Sequence, residues 1–282
     1  MSDISISVIV CTRNRAQWLR ACLHSFEHIN TGIAWELIVV DNGSSDQTQA
    51  VIQQCAAATS IELVCGYEPR EGVSFARNKG IELARGPFIA FTDDDCYPRQ
   101  DYIDSLFARL SGDSELGFVG GRVLLFDPED YPVTIQTHNA LVQLNPGEFL
   151  YAGFIHGANF AFRQSALVQA RGFDVRLGTG TRFPSEDVDI LAELLRLGWR
   201  GQYDPAIVVY HHHRRRSQAQ IDHLVLGYDW GRGAYFAKHI LRPVHRLLFL
   251  RQWARNIRWQ PARTSRREIQ AALVFWWCLL TK

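Results

Sequence analysis

Residues 88–96 read FIAFTDDDC, an apolar run that stops on three consecutive aspartates, Asp93, Asp94 and Asp95. A short continuous apolar segment reads as a strand buried on both faces of a parallel sheet, with the polar residues marking its carboxyl end. The fold follows if the flanking sequence repeats that unit, and upstream it does.

Residues 4–10 form a β-branched strand, followed by the polar residues 12–15 and a helical pattern through Leu19, Cys22, Leu23 and Phe26. Residues 35–40 are a second near-continuous strand, 41–46 a turn, and 47–55 a helix capped by Ser44, Ser45 or Asp46. A third strand at 61–64 and a helix at 74–84 lead into 88–92. Three strand–helix units in succession predict a doubly wound α/β sheet. Ligands of such sheets bind in the crevice at the carboxyl ends of the strands, where the loops after Val10, Val40 and Phe91 lie.

Downstream the pattern becomes mixed. Residues 118–125 and 154–162 read as strands, 127–147 as irregular, and 186–197 and 219–238 as helices. No internal repeat or interdomain linker is evident. The 282 residues carry 47% hydrophobic side chains, enough for a large core, and disorder is not expected.

The net charge is +1, so no global field recruits nucleic acid. Eight arginines and one lysine against the single acid Glu268 make residues 242–282 strongly basic, and residues 1–241 correspondingly acidic. The six cysteines show no CxxC pair and suit a reducing cytoplasm. Residues 1–7 do not read as a secretory signal, and the longest apolar stretch, 271–280, is about half of the ~20 residues needed to span a bilayer.

Three adjacent carboxylates repel one another, and a divalent cation relieves that repulsion. Hard oxygen ligands select Mg²⁺ or Mn²⁺, which characteristically hold substrate phosphates. Taken alone, the run reads equally well as a cap for a helix entering at Tyr102. Asp41, in the turn 41–46, brings a second acidic loop to the same crevice and favours a site.

The segments SVIVCTRNR (7–15), ELIVVDNGSSD (36–46), GVSFARNKGI (72–81) and FIAFTDDDC (88–96), in this order, closely resemble family 2 of the glycosyltransferases. The likeness continues through GANFAFRQSAL, RGFDVRLGTG and the segment 185–211, and covers residues 4–240. It implies the GT-A fold: a Rossmann-like, mostly parallel sheet flanked by helices, here with a helical C-terminal extension. The implied division is a catalytic domain over 1–240, with a nucleotide-sugar and metal half at 1–115 and an acceptor half at 116–240, followed by the extension 241–282.

The resemblance also implies roles. Asp41 would read the nucleobase of a nucleoside diphosphate sugar donor, with Thr12, Arg13 and Arg77 lining the nucleotide pocket and Asp93 and Asp94 on the donor. Asp93 and Asp95 would form the metal motif, Asp95 touching the Mg²⁺ or Mn²⁺ most directly, with His211 near metal and diphosphate. Asp187 would be the base of an inverting transfer, and Glu186 would position the acceptor. Without the upstream motifs this pair would read only as first-turn acids favourable to the helix dipole. Gly157, Asn159 and Trp199 are the expected acceptor contacts, and Arg214, Arg215 and Arg216 a grip for phosphate of the donor or of a lipid-linked acceptor.

The tail combines arginines with Trp253, Trp276, Trp277 and leucines, which suits the inner face of an anionic membrane. The alternative is packing on the catalytic domain or in a homodimer. The expected function is glycosyl transfer to a glycan or lipid-linked glycan. A nucleotidyltransferase would need a Gly-rich loop after the first strand, and residues 11–15 hold no glycine. A catalytically silent binding protein would have no use for both the aspartate run and Glu186/Asp187.

Overall fold

The computed structural model describes residues 4–281. Strands β1 (Ile6–Thr12), β2 (Trp35–Asp41), β3 (Leu63–Tyr67) and β4 (Phe88–Asp93) alternate with helices α1 (Ala16–Ser25), α2 (Thr48–Ala58) and α3 (Val73–Leu83). They pair in parallel in the order β3-β2-β1-β4, with Thr12 opposite Asp41 and Cys11 opposite Asp93. Three carboxyl ends therefore stop level with one another. Along β1, Val8 and Val10 enter one buried cluster and Ile9 the other, so period-two alternation buries both faces of the sheet.

Beyond β4 the sheet is mixed. The elements that follow are β5 (Cys96–Pro98), α4 (Tyr102–Ser111), β6 (Leu116–Leu125), β7 (Val142–Leu144), β8 (Asn159–Arg163), α5 (Gln164–Ala170), α6 (Glu186–Arg196) and β9 (Arg200–His211). The nine-stranded sheet runs on from β4 through β8, β6 and β9 to β5, with β7 also on β9. β8 is antiparallel to β4, and β9 is parallel to β6.

Two expected boundaries move. The strand expected at 154–162 begins only at Asn159, because residues 154–158 turn across the crevice. The region 127–147 contains β7. The residue at the N-cap of α4 is Asp101, so the aspartate run is not that helix's cap.

The chain closes with α7 (Gln218–Ile240), α8 (Arg246–Trp259) and α9 (Ala262–Leu280). α7 opens on a capping box between Ser217 and Gln220. Phe249 of α8 packs on Tyr235 and Phe236 within one of the main core clusters. Ala271, Ala272 and Phe275 of α9 pack with Ala234 and Ala237 of α7. The small Gly233 is required there, since a Cβ would collide with the Glu268 carbonyl. Glu268 is fully buried and accepts from Arg232 Nε at 2.8 Å and Trp253 Nε1 at 3.0 Å. The inner faces of the tail helices thus pack on α7 and the core of the preceding chain, the alternative weighed against the membrane. No helix among the described residues is long and apolar enough to cross a membrane.

Candidate active site

A cavity of about 840 Å³ opens at the carboxyl ends of β1 and β4. Thr12, Arg13, Arg77 and Asp93–Asp95 line one side, and Gly157, Glu186, Asp187 and His211 are brought to the same cavity from the second half.

The aspartate run is divided by its partners. Asp94 accepts from Thr12 Oγ1 at 2.6 Å and lies 3.2 Å from Arg15. Burial outweighs that arginine and pushes Asp94 up to about 6. Asp95 accepts from Arg15 Nη2 through one oxygen, and its other lies 3.2 Å from His211 Nε2. Burial alone would raise Asp95, but the His211 and Arg15 contacts overcome it and hold the carboxyl well below the usual range. Asp93 is 41% exposed on its side chain and lies 3.8 Å from Arg77 Nη2.

β5 pairs antiparallel with β9 and sets Cys96 opposite His211, which is how a histidine remote in sequence reaches Asp95. His211 Nδ1 lies 3.2 Å from the Thr134 carbonyl oxygen. A carbonyl and a carboxylate both only accept, so the ring donates through Nδ1 to Thr134 and through Nε2 to Asp95, and although burial alone would lower the imidazole's pKa, the Asp95 contact raises it. Asp93, Asp95, Cys96 and His211 each offer a ligand atom, all within 4.8 Å of one another. Burial keeps the Cys96 thiol protonated, leaving two carboxylates and an imidazole nitrogen as a donor set suited to Mg²⁺ or Mn²⁺.

Arg77 joins the two halves. Its Nη1 donates to Glu186 Oε1 at 2.8 Å, and its Nη2 donates to the Gly157 carbonyl at 3.5 Å. Burial raises Glu186 above the usual carboxylate range even against that guanidinium. Gly157 has no room for a side chain, since a Cβ would meet Arg77 Nη2 at 2.8 Å. Its N–H donates to Asp187 Oδ2 at 3.2 Å, while Val188 N–H donates to Oδ1 at 2.7 Å. Two backbone donors therefore aim the Asp187 carboxylate into the cavity.

Asp41 stands just behind the wall. One carboxylate oxygen accepts from Ser44 N–H at 3.0 Å, and the other is buried without a partner. Of the three consecutive arginines, only Arg215 lines the cavity. Arg214 lies over the Trp18 ring at 5.3 Å, and Arg216 is paired with Asp127, Glu129 and Asp130.

Two expected acceptor contacts are elsewhere. Asn159 is fully buried and donates to the Arg122 and Ile207 carbonyls at 2.8 and 3.1 Å, tying β8 to β6 and β9. Trp199 precedes β9, at the end remote from His211, and donates to Gln169 at 2.7 Å. The sequence reading missed His156 and Tyr228, both on the cavity wall. His156 directly precedes Gly157 and was within reach of the motif, whereas Tyr228 sits in a helix whose spacing does not distinguish it.

A family model described as "Glycosyl transferase family 2" matches residues 7–169, more than half of the chain. Glycosyltransferase AglE of Haloferax volcanii is 33% identical over 119 residues, 42% of this chain and 39% of that protein, so the match spans well under half of the relative's length. Among solved structures, mannosyltransferase PcManGT from Pyrobaculum calidifontis, in complex with GDP-Man and Mn²⁺, superposes with a TM-score of 0.69 at 20% identity. It covers 96% of this chain and 74% of that one. S. aureus TarS 1–349 in complex with UDP-GlcNAc gives a TM-score of 0.68 at 15% identity, over 95% and 79% of the two chains. The GT-A fold is shared with both.

Proposed function

The chain belongs to glycosyl transferase family 2, and from that premise we propose that it transfers a sugar, with inversion, from a nucleoside diphosphate sugar to a hydroxyl of a glycan or lipid-linked glycan. The observation that carries this reading is the shared cavity: Asp93–Asp95 and Asp187 come from opposite halves of the chain and face one space, with Arg77 between them.

Asp187 is the base. Its carboxylate, oriented by the Gly157 and Val188 N–H groups, takes the acceptor proton as the hydroxyl oxygen bonds to the anomeric carbon and the nucleotide leaves with the electrons of the broken bond. Glu186 acts through Arg77, holding it beside Asp93. Thr12 and Arg13 receive the nucleoside, with Asp41, whose unpartnered oxygen is buried just behind them, as the reader of its base. Arg215 is placed to meet phosphate.

A divalent ion would be held by Asp93, Asp95 and His211, where it offsets the charge that develops on the leaving diphosphate. The imidazole favours Mn²⁺ over Mg²⁺, and Mn²⁺ accompanies GDP-Man in the PcManGT complex. We take 1–240 as the catalytic domain and 241–282 as an extension that keeps it at the inner membrane face. Titrating a panel of sugar nucleotides with and without Mn²⁺ tests the proposal: at least one should bind only with metal, and metal-independent or absent binding across the panel would sink it.

A further inference from the structure

The tail helices bury one face each, and what remains outside is patterned. On α9, Ile269, Leu273, Trp277 and Leu280 recur at helical spacing on the side opposite Ala271, Ala272 and Phe275, and are 41%, 57%, 67% and 83% exposed. Arg263 and Arg266 precede this stripe on the same exposed face. On α8 and the turn before it, Val244, Leu247 and Leu250 are exposed, as are Arg251 and Arg258.

The charges on this surface are unbalanced. Glu268, the sole acid of the segment, is buried and already engaged by Arg232, Trp253 and Gln260. Arg267 pairs with Asp229 at 3.2 Å. Arg251, Arg255, Arg258, Arg263 and Arg266 have no acidic partner among the described residues. A row of large apolar side chains rimmed only by unpaired cations is costly against water and suits an apolar layer beneath a negatively charged surface.

We propose that the outer face of α9 is a docking surface for an anionic lipid membrane. The proposal rests on the glycosyltransferase reading only in naming where the acceptor is met, and it specifies the face that reading leaves open. Because α9's inner face stays packed on α7, the helix lies along the surface, with Leu273 and Trp277 entering the headgroup–acyl boundary and the arginines on phosphates. A second copy of the chain fits the stripe poorly, because pairing the face with itself opposes arginines to arginines.

Co-sedimentation with phosphatidylcholine vesicles containing phosphatidylglycerol, and with phosphatidylcholine alone, tests this on the full chain. Binding should require the anionic lipid. Leu273→Ser with Trp277→Ser, and separately Arg263→Gln with Arg266→Gln, should each weaken it by at least roughly tenfold. All four positions are exposed, so the fold and sugar-nucleotide affinity should be unchanged, and calorimetry separates failure of docking from failure of the glycosyltransferase reading. Equal binding to both vesicles, no binding, or binding indifferent to these changes would overturn the proposal. So would a dimer seen by light scattering without lipid and lost in Leu273→Ser/Trp277→Ser.

Discussion

Arg77, from the helix after β3, donates Nη1 to Glu186 Oε1 at 2.8 Å, across a separation of 109 residues. Both side chains are buried. The pair fastens the first half of the chain to the second across the cavity. Arg77→Ala leaves Glu186 buried without its cation, and should lower stability by roughly 3–5 kcal/mol. Arg77→Met with Glu186→Gln should recover part of that loss, which chemical denaturation would measure; equal losses in single and double variants would refute the coupling.

Asp95 carries the contacts of both Arg15 and His211. In Asp95→Ala, calorimetry should find that Mn²⁺ no longer enhances sugar-nucleotide affinity. Unchanged metal dependence would remove Asp95 from the ligand set.

Asp187→Asn keeps a side chain of the same shape, and its single amide oxygen can still accept one of the two N–H bonds, from Gly157 or Val188, that the carboxylate accepts through separate oxygens. Donor affinity should stay within a factor of about two, while transfer falls by roughly 10²–10⁴-fold, the range for loss of a general base. Loss of donor binding in this variant would count against the assignment.

Asn159→Ala tests the removal of that residue from the acceptor site. Two carbonyl partners lose their donor inside the sheet, so the melting temperature should fall with a cost of about 1–3 kcal/mol. The acceptor KM measured on the folded protein should not change.

Behind α6, Lys238 lies 2.8 Å from Asp174 and 2.6 Å from Asp189. Burial alone would raise both carboxyls, but Arg176 and Lys238 at Asp174, and Lys238 and His239 at Asp189, hold them below their unfolded value of 3.8. A depressed carboxylate stabilises the fold above its unfolded pKa, and that contribution is lost as pH falls toward the folded value. Melting temperature should therefore drop as the pH is taken below about 4. Lys238→Met should destabilise at neutral pH and flatten the acid limb.

Asp93, Asp187 and His211 stand at or next to the end of a recognisable element and Asp95 in the turn after β4, so the sequence singles them out, and the fold brings all four to one cavity. Asn159 and Trp199 were misplaced for a matter of strand direction. β8 turns the Asn159 amide into the sheet, where backbone carbonyls take it. β9 runs twelve residues from Arg200 to His211, so Trp199 stands on the order of 35–40 Å along the strand from the histidine it nearly adjoins in motif order. Tyr228 was invisible because α7 has apolar and polar residues on all sides.

By itself the sequence determined the alternating elements of residues 6–93, since buried parallel strands must be continuously apolar and must end in polar loops. That places Thr12, Asp41 and Asp93 level at one edge. Only the tertiary structure decided what meets them there. β5 on β9 delivers His211, and the turn at Gly157 holds Asp187. It also divided the tail, whose pattern alone suited either burial or a membrane. The inner face of α9 is small enough to close on Gly233 of α7, and this leaves the larger Leu273 and Trp277 facing outward.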